Sequence, residues 1–224
     1  MKKNKVFVAC DSTNISKIKK IIKKTQTSNL QIGYKFGLEF FNSKKGRNFI
    51  SKIKNKILFA DLKLHDIPNT CVSTVKAIQD LKVNYLTIHI SSGLEALKKS
   101  KKMAGKIKLI GVTTLTSLDN KALKEIGYNK NINQLVVHQA KLAAKANLDA
   151  IVSSAHEVKA IKKVFKKEII TPGIRFNSNT NDQKRVTTPK QAFKNGSDWL
   201  VIGRPITKGN IKNNLKKLIN HLEK

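Results

Sequence analysis

Ile57-Leu58-Phe59-Ala60-Asp61-Leu62-Lys63-Leu64-His65-Asp66-Ile67-Pro68-Asn69-Thr70 begins as an uninterrupted apolar run and ends in charge. An apolar run of this length without polar alternation is the pattern of a β-strand covered on both faces, as in a parallel sheet packed between helices. Pro68 suits the first turn of a helix, so the segment reads as strand, charged turn, helix. The same succession recurs along the chain. Candidate strands are Lys5–Cys10, Gln31–Phe36, Ile57–Asp61, Tyr85–Ile90, Lys108–Thr113, Ala150–Ser153, Ile169–Thr171 and Trp199–Ile202. Lys-rich stretches with apolar residues at helical spacing lie between them, such as Ile15, Ile18, Ile21 and Ile22, or Ile211, Leu215, Leu218, Ile219 and Leu222. Eight strand–helix units in 224 residues predict an α/β fold, a single (β/α)8 TIM barrel forming one catalytic domain over residues 1–224. Residues 129–147 read as extra helix between strands five and six. An open doubly wound sheet would usually carry a Gly-rich fingerprint after its first strand; Asp11-Ser12-Thr13-Asn14 is not one.

Composition narrows the function classes. There are 45 Lys and Arg against 14 Asp and Glu, a net charge of +31, which raises the possibility of nucleic-acid binding. Arginine occurs only at 47, 175, 185 and 204, the lysines spread along the whole chain, and aromatics are 6 %. A dedicated binder would concentrate its charge and interleave aromatics, so drift toward lysine is the better account and no specific nucleic-acid partner is expected. The field should still attract anionic substrates. No apolar run approaches the roughly 20 residues of a membrane span, and Val6–Cys10 is too short for the core of a signal peptide, so no membrane partner and a cytoplasmic location are expected. Cys10 and Cys71 read as two reduced thiols. His65, His89, His138, His156 and His221 have no metal-ligand spacing, and His89 and His138 read as core or supporting residues.

In a barrel of this kind the chemistry sits where the strands end at their C-termini. Side chains alternate along a strand, so Asp61 and Lys63 should share the face of Phe59, and if that face is the barrel interior the two charges need to pair. Neighbouring carboxylates favour the ammonium form of a lysine, and a positioned ammonium is a general acid. The alternative is a surface ion-pair cluster in which Asp66 caps the helix at Pro68. Lys35 lies inside the second apolar run, as a site residue or as a stray lysine of a Lys-rich chain. Asp11 ends the first strand and by itself could be a turn or cap residue.

Thr171-Pro172-Gly173-Ile174-Arg175 and Gly203-Arg204-Pro205 follow the last two strands, where this fold usually cradles phosphate. Gly203 lets backbone approach an anion, and Pro205 suits a helix start, whose N–H groups attract it. Three of the four arginines fall in residues 175–204, although solvated arginines on loops would give the same pattern. The stretch Phe176–Lys184, rich in Asn, Ser, Thr and Asp, reads as a lid that could exclude water, with Gln183 placed to bridge substrate groups.

Asp61-Leu62-Lys63-Leu64-His65-Asp66-Ile67-Pro68-Asn69-Thr70 resembles closely the signature of the orotidine 5′-phosphate decarboxylase family. Lys35-Phe36-Gly37-Leu38-Glu39, Val112-Thr113-Thr114-Leu115-Thr116-Ser117, Thr171–Arg175, Asp182-Gln183-Lys184-Arg185 and Gly203-Arg204-Pro205-Ile206-Thr207 resemble its other motifs in order. The resemblance covers nearly the whole chain. It implies a cofactor-free, metal-free carboxy-lyase that converts orotidine 5′-phosphate to uridine 5′-phosphate in pyrimidine synthesis, acting as a homodimer with shared sites. By the same resemblance Lys63 is the proton donor to pyrimidine C6, and Lys35, Asp61, Lys63 and Asp66 form an alternating charge network, with Asp66 coming from the other subunit. Substrate contacts are implied for Asp11 and Lys35 at the ribose, Thr116 near the pyrimidine, Gln183 between base and phosphate, and Arg175, Gly203 and Arg204 at the phosphate, with Asp61, Ile67 and Thr70 also among the substrate-binding residues. A related barrel sugar-phosphate decarboxylase or synthase using magnesium shares the Asp-x-Lys-x-x-Asp strand, but Ile67–Thr70 and the Thr116 motif argue against it.

Overall fold

The computed structural model describes residues 3–176 and 186–223. Eight parallel strands close into a barrel in sequence order: β1 (Lys5–Ala9), β2 (Gln31–Gly37), β3 (Ile57–Leu64), β4 (Tyr85–His89), β5 (Lys108–Val112), β6 (Ala150–Val152), β7 (Glu168–Thr171) and β8 (Trp199–Ile202). β1 pairs with β2 on one side and β8 on the other, so no strand edge is left open. The TIM barrel expected from the sequence is therefore the fold. Strand bounds agree with expectation to within a few residues, the largest difference being at β3, which runs on to Leu64.

The helices outside the barrel follow the apolar spacing. In α1 (Ile15–Lys24), Ile18 and Ile21 are fully buried, and Asn14 caps the first turn by accepting the Lys17 N–H at 3.0 Å. α2 (Leu38–Phe41) and α3 (Gly46–Ser51) connect β2 to β3, and α4 (Pro68–Ile78) and α5 (Leu94–Met103) follow β3 and β4. After β5 come α6 (Asn120–Glu125) and α7 (Ile132–Lys145), the latter opened by a reciprocal cap between Asn131 and Gln134. The helix expected at 129–147 between strands five and six is present. That stretch is α7, the β5–β6 crossover itself, and the additional element is α6. His138 departs from expectation. The buried stripe of α7 is Leu135, Val136, Gln139, Ala140 and Ala143, and His138 lies off that stripe and is exposed. α8 (Val158–Val164), α9 (Pro189–Lys194) and α10 (Arg204–Thr207) follow, and α11 (Ile211–Glu223) packs against α1, α9 and α10. No helix among the described residues is long and apolar enough to cross a membrane.

Inside the barrel, Phe7, Phe59, Tyr85, Ile110, Ala150, Ile170 and Trp199 form a packed layer supplied by seven of the eight strands. Phe7 stacks on Trp199 at 4.1 Å between ring centroids and meets Phe59 and Tyr85 edge-on at 5.0 and 5.2 Å. Gly33 leaves room for this ring, since a Cβ there would lie 2.6 Å from it. Below this layer, at the N-terminal ends of the strands, Glu168 accepts from Tyr85 Oη at 3.0 Å and Lys108 Nζ at 2.9 Å, and pairs with Lys5 at 3.4 Å. This end of the barrel interior is thus closed, and the interior opens at the C-terminal ends of the strands.

Phe7→Ala removes the ring at the centre of this layer. It is expected to lower the unfolding free energy by about 3–5 kcal/mol, the range for a fully buried aromatic. Urea denaturation checks this, and a loss below about 1 kcal/mol would show that the layer rearranges to fill the space.

Candidate active site

At the C-terminal end the barrel opens into a cavity of about 470 Å³, a size suited to a small-molecule ligand. Its floor is apolar, formed by Phe59, Ala9, Val112, Val152 and Val201, and its walls carry charge. Asp11 lies just past β1, Lys35 stands near the end of β2, and Asp61 and Lys63 belong to β3. They form a line of alternating sign: Asp11 to Lys35 at 3.1 Å, Lys35 to Asp61 at 3.3 Å, Asp61 to Lys63 at 2.8 Å. Lys35 and Asp61 are buried; Asp11 is the exposed end of the line. Burial by itself would push the Asp61 carboxyl up, but Lys35 and Lys63 outweigh it and hold it below the usual carboxylate range. Burial pushes the Lys35 ammonium down, but Asp61 and Asp11 outweigh that and leave it above its ordinary value. Lys35 is therefore not a stray lysine, and the Asp61–Lys63 pair is not a surface cluster.

The pairing does not arise from the strand alternation that the sequence suggested. A regular β3 would put Asp61 and Lys63 on one face by alternation, but the strand is irregular there. Its register against β4 shifts between Ala60 and Leu64, and Lys63 has φ 49°, a left-handed conformation unusual for a residue with a Cβ. The side chains meet because the backbone turns, not because the pleat repeats.

The opposite wall carries Pro172, Gly173 and Arg175 after β7 and Gly203 and Arg204 after β8. Gly173 has φ 76°. Thr187 N–H donates to Gly173 O at 3.2 Å and Arg175 N–H to Thr187 O at 3.0 Å, which joins the chain before and after residues 177–185. As expected of Pro205, α10 starts directly after Gly203 with proline in its first turn. Thr114, Leu115 and Thr116 complete the rim.

Of the residues singled out from the sequence, Asp11, Lys35, Asp61, Lys63, Thr116, Arg175, Gly203 and Arg204 line this one cavity. Asp66, Ile67 and Thr70 do not. All three are exposed, and Ile67 leaves 67 % of its surface open. Asp66 does not cap α4 either; its carboxylate accepts the adjacent Ile67 N–H at 2.7 Å, and Ile67 holds the cap position without a side-chain bond. Gln183 and most of the proposed lid fall outside the described residues.

The chain as a whole matches a known family. The model of the "Orotidine 5'-phosphate decarboxylase / HUMPS family" matches residues 4–217. The chain belongs to this family. It is 48 % identical over 179 residues to an orotidine 5′-phosphate decarboxylase of Wolbachia pipientis subsp. Culex pipiens, covering 77 % of this chain and 79 % of that one. It is 42 % identical over 223 residues to that of Wolbachia sp. subsp. Brugia malayi, covering 96 % and 97 %. The crystal structure of the enzyme named orotidine 5′-phosphate decarboxylase from Lactobacillus acidophilus superposes with a TM-score of 0.84 at 30 % identity, covering 99 % of this chain and all of that one.

Within this family framework, some residues of the site were passed over in the sequence. Ser153 directly follows β6 and faces the cavity, where its position just past a strand was the available signal. Gln139 is buried on α7, and its Oε1 accepts from Thr114 N–H at 2.9 Å and Thr114 Oγ1 at 3.3 Å, fixing the turn that carries Thr116. A lone amide in an otherwise apolar stripe was its only mark. His89, beside the site, is pushed down to about 4 by burial and then by His65 and Lys63, so it is neutral at pH 7.

Because the Asp61 carboxyl lies lower in the folded chain than in the unfolded one, its pairing stabilises the fold fully above about pH 4 and loses that effect as pH falls through the folded-state value. Asp61→Asn leaves two ammonium groups without their shared partner and is expected to lower stability by about 3 kcal/mol at neutral pH. Denaturation of both proteins followed from neutral pH downward should show a gap that is constant above about pH 4 and narrows progressively below it. A gap unchanged by pH would mean that the charge of Asp61 is not what holds the site.

Proposed function

We infer that this chain decarboxylates orotidine 5′-phosphate to uridine 5′-phosphate, the last step of de novo pyrimidine nucleotide synthesis. The observation that carries the reading is the line Asp11–Lys35–Asp61–Lys63 facing Arg175, Gly203 and Arg204 across one cavity. Family membership and the names of the relatives support the same substrate. When the bond from C6 to the carboxylate breaks, the electron pair stays on C6 and carbon dioxide leaves. The Lys63 ammonium, held beside Asp61, stabilises that charge and then gives C6 its proton. Asp11 and Lys35 bind the ribose. Thr116 and Gln183 meet the base, and Arg175, Gly203 and Arg204 grip the phosphate. Binding energy from the phosphate orients a ring that the phosphate itself does not touch. No cofactor or metal enters this scheme. The enzyme would work in the cytoplasm.

The family description also names HUMPS members. Ile67-Pro68-Asn69-Thr70 and the decarboxylase relatives weigh against a magnesium-dependent sugar-phosphate reaction, and turnover that survives a chelator would exclude it. Lys63→Ala should lose decarboxylation, followed by ultraviolet absorbance, while its circular dichroism stays that of the wild type. Activity within about tenfold of wild type, or 1.4 kcal/mol of barrier, would remove Lys63 from the role of proton donor.

We also propose a homodimer in which Asp66, with Ile67 and Thr70, completes the neighbour's site. Their exposure on the rim and position outside their own cavity support this. Two-fold symmetry makes the exchange reciprocal. Lys63→Ala and Asp66→Asn proteins, each inactive, are unfolded together and allowed to reassociate. In a mixed dimer one site carries both lesions and the other neither, so roughly a quarter of all sites should recover. Mixed dimers that form but stay inactive would place Asp66 in its own chain's site.

A further inference from the structure

The irregularity of β3 has a partner on β4 that neither the sequence nor the cavity lining brings forward. Ala60 pairs with Leu86 and Leu64 with Ile88, so Asp61, Leu62 and Lys63 together oppose the single residue Thr87. A bulge of this kind re-aims side chains but removes ladder partners from the backbone it displaces. At Lys63 the displaced N–H is not left unbonded. It donates to Thr87 Oγ1 at 2.8 Å. The same hydroxyl donates to Asp61 Oδ1 at 3.2 Å, and that oxygen accepts from Lys63 Nζ at 2.8 Å. Backbone and ammonium of Lys63 are thus tied into one ring of hydrogen bonds that passes through Thr87 and Asp61. A hydroxyl has a single proton, so accepting the Lys63 N–H leaves that proton free to be aimed at Asp61. Thr87 is fully buried and is not part of the cavity wall, so it can influence a ligand only through these two residues.

We propose that Thr87 is the positioning residue of the site: it holds Lys63 in its left-handed conformation and fixes where the ammonium points. The inference rests on the proposed role of Lys63 as proton donor. A proton donor misplaced by a fraction of an ångström loses rate even when the ligand still binds. Thr87 should therefore act on turnover and leave affinity nearly untouched.

The test compares Thr87→Val, which keeps the shape and loses the hydroxyl, with Thr87→Ser, which keeps the hydroxyl, and with Lys63→Ala. Turnover of orotidine 5′-phosphate and the dissociation constant of uridine 5′-phosphate are measured for each. Thr87→Val should lower kcat by on the order of 100-fold with product affinity within about threefold, and Thr87→Ser should recover to within about fivefold of wild type. Should the valine variant fail to fold, Thr87→Ala is held to the same criteria. The inference is overturned by a kcat for the hydroxyl-free variant within about threefold of wild type, by equal losses in kcat and affinity, or by a serine variant no better than the valine one. An inactive Lys63→Ala beside an undamaged Thr87→Val removes only the role of Thr87. An active Lys63→Ala removes the proton-donor reading and the inference with it.

Discussion

The site depends on one buried carboxylate held between two ammonium groups. Asp61 is largely buried at the cavity wall, and its charge is stabilised there by Lys35 at one carboxylate oxygen and Lys63 at the other. Each contact draws in a different strand: Lys35 brings β2 and, through Asp11, β1, and Lys63 brings the distorted end of β3. The barrel's closure makes this possible, because it sets strand ends far apart in sequence side by side. The arrangement is also poised for chemistry, since a cation fixed by a carboxylate needs no reorganisation when negative charge appears near it.

The two ends of the barrel show how similar ingredients serve different ends. Glu168 at the closed end also sits among cations, Lys108 and Lys5, with the Tyr85 hydroxyl beside them. There the aromatic layer of Phe7, Phe59, Tyr85 and Trp199 fills the interior and leaves no room for a ligand. At the open end Ala9, Val112, Val152 and Val201 are small enough to leave a cavity above the same layer. A charge cluster over a packed floor seals the barrel, and one over an open floor makes a site.

The net charge of +31 takes on a narrower meaning in this setting. Many lysines lie on exposed helix faces, where single ion pairs contribute little, as with Lys99 and Glu95 on α5. The arginines are placed differently. Arg175 and Arg204 stand on the cavity wall, while Arg47 joins Asp80 on the outer surface. A planar fork suits an oxyanion better than a lysine does, which is why Arg175 and Arg204 carry the proposed phosphate contact, and the lysine field serves at most to draw anions toward the cavity.

How much was legible in the sequence follows from where each signal resides. The eight apolar runs and the helical stripes are local, so the barrel and its strands could be read directly. The rule that barrel chemistry sits at strand ends then led to Asp61, Lys63, Arg175, Gly203 and Arg204, while Asp11 and Lys35 stayed open and Thr116 came only from the family resemblance. Supporting residues left almost no mark, since Thr87 and Gln139 look like ordinary members of a strand and a helix until the elements they bond across are in place. Alternation predicted the right partner for Asp61 by the wrong route, because a bulge is a relation between two strands and β3 does not contain it. The residue types and their order were determined by the chain itself. Whether Lys35 was stray or central, whether Asp66 faced its own cavity, and how Lys63 was aimed were decided only when distant segments packed, because burial and charge pairing are properties of neighbours in space.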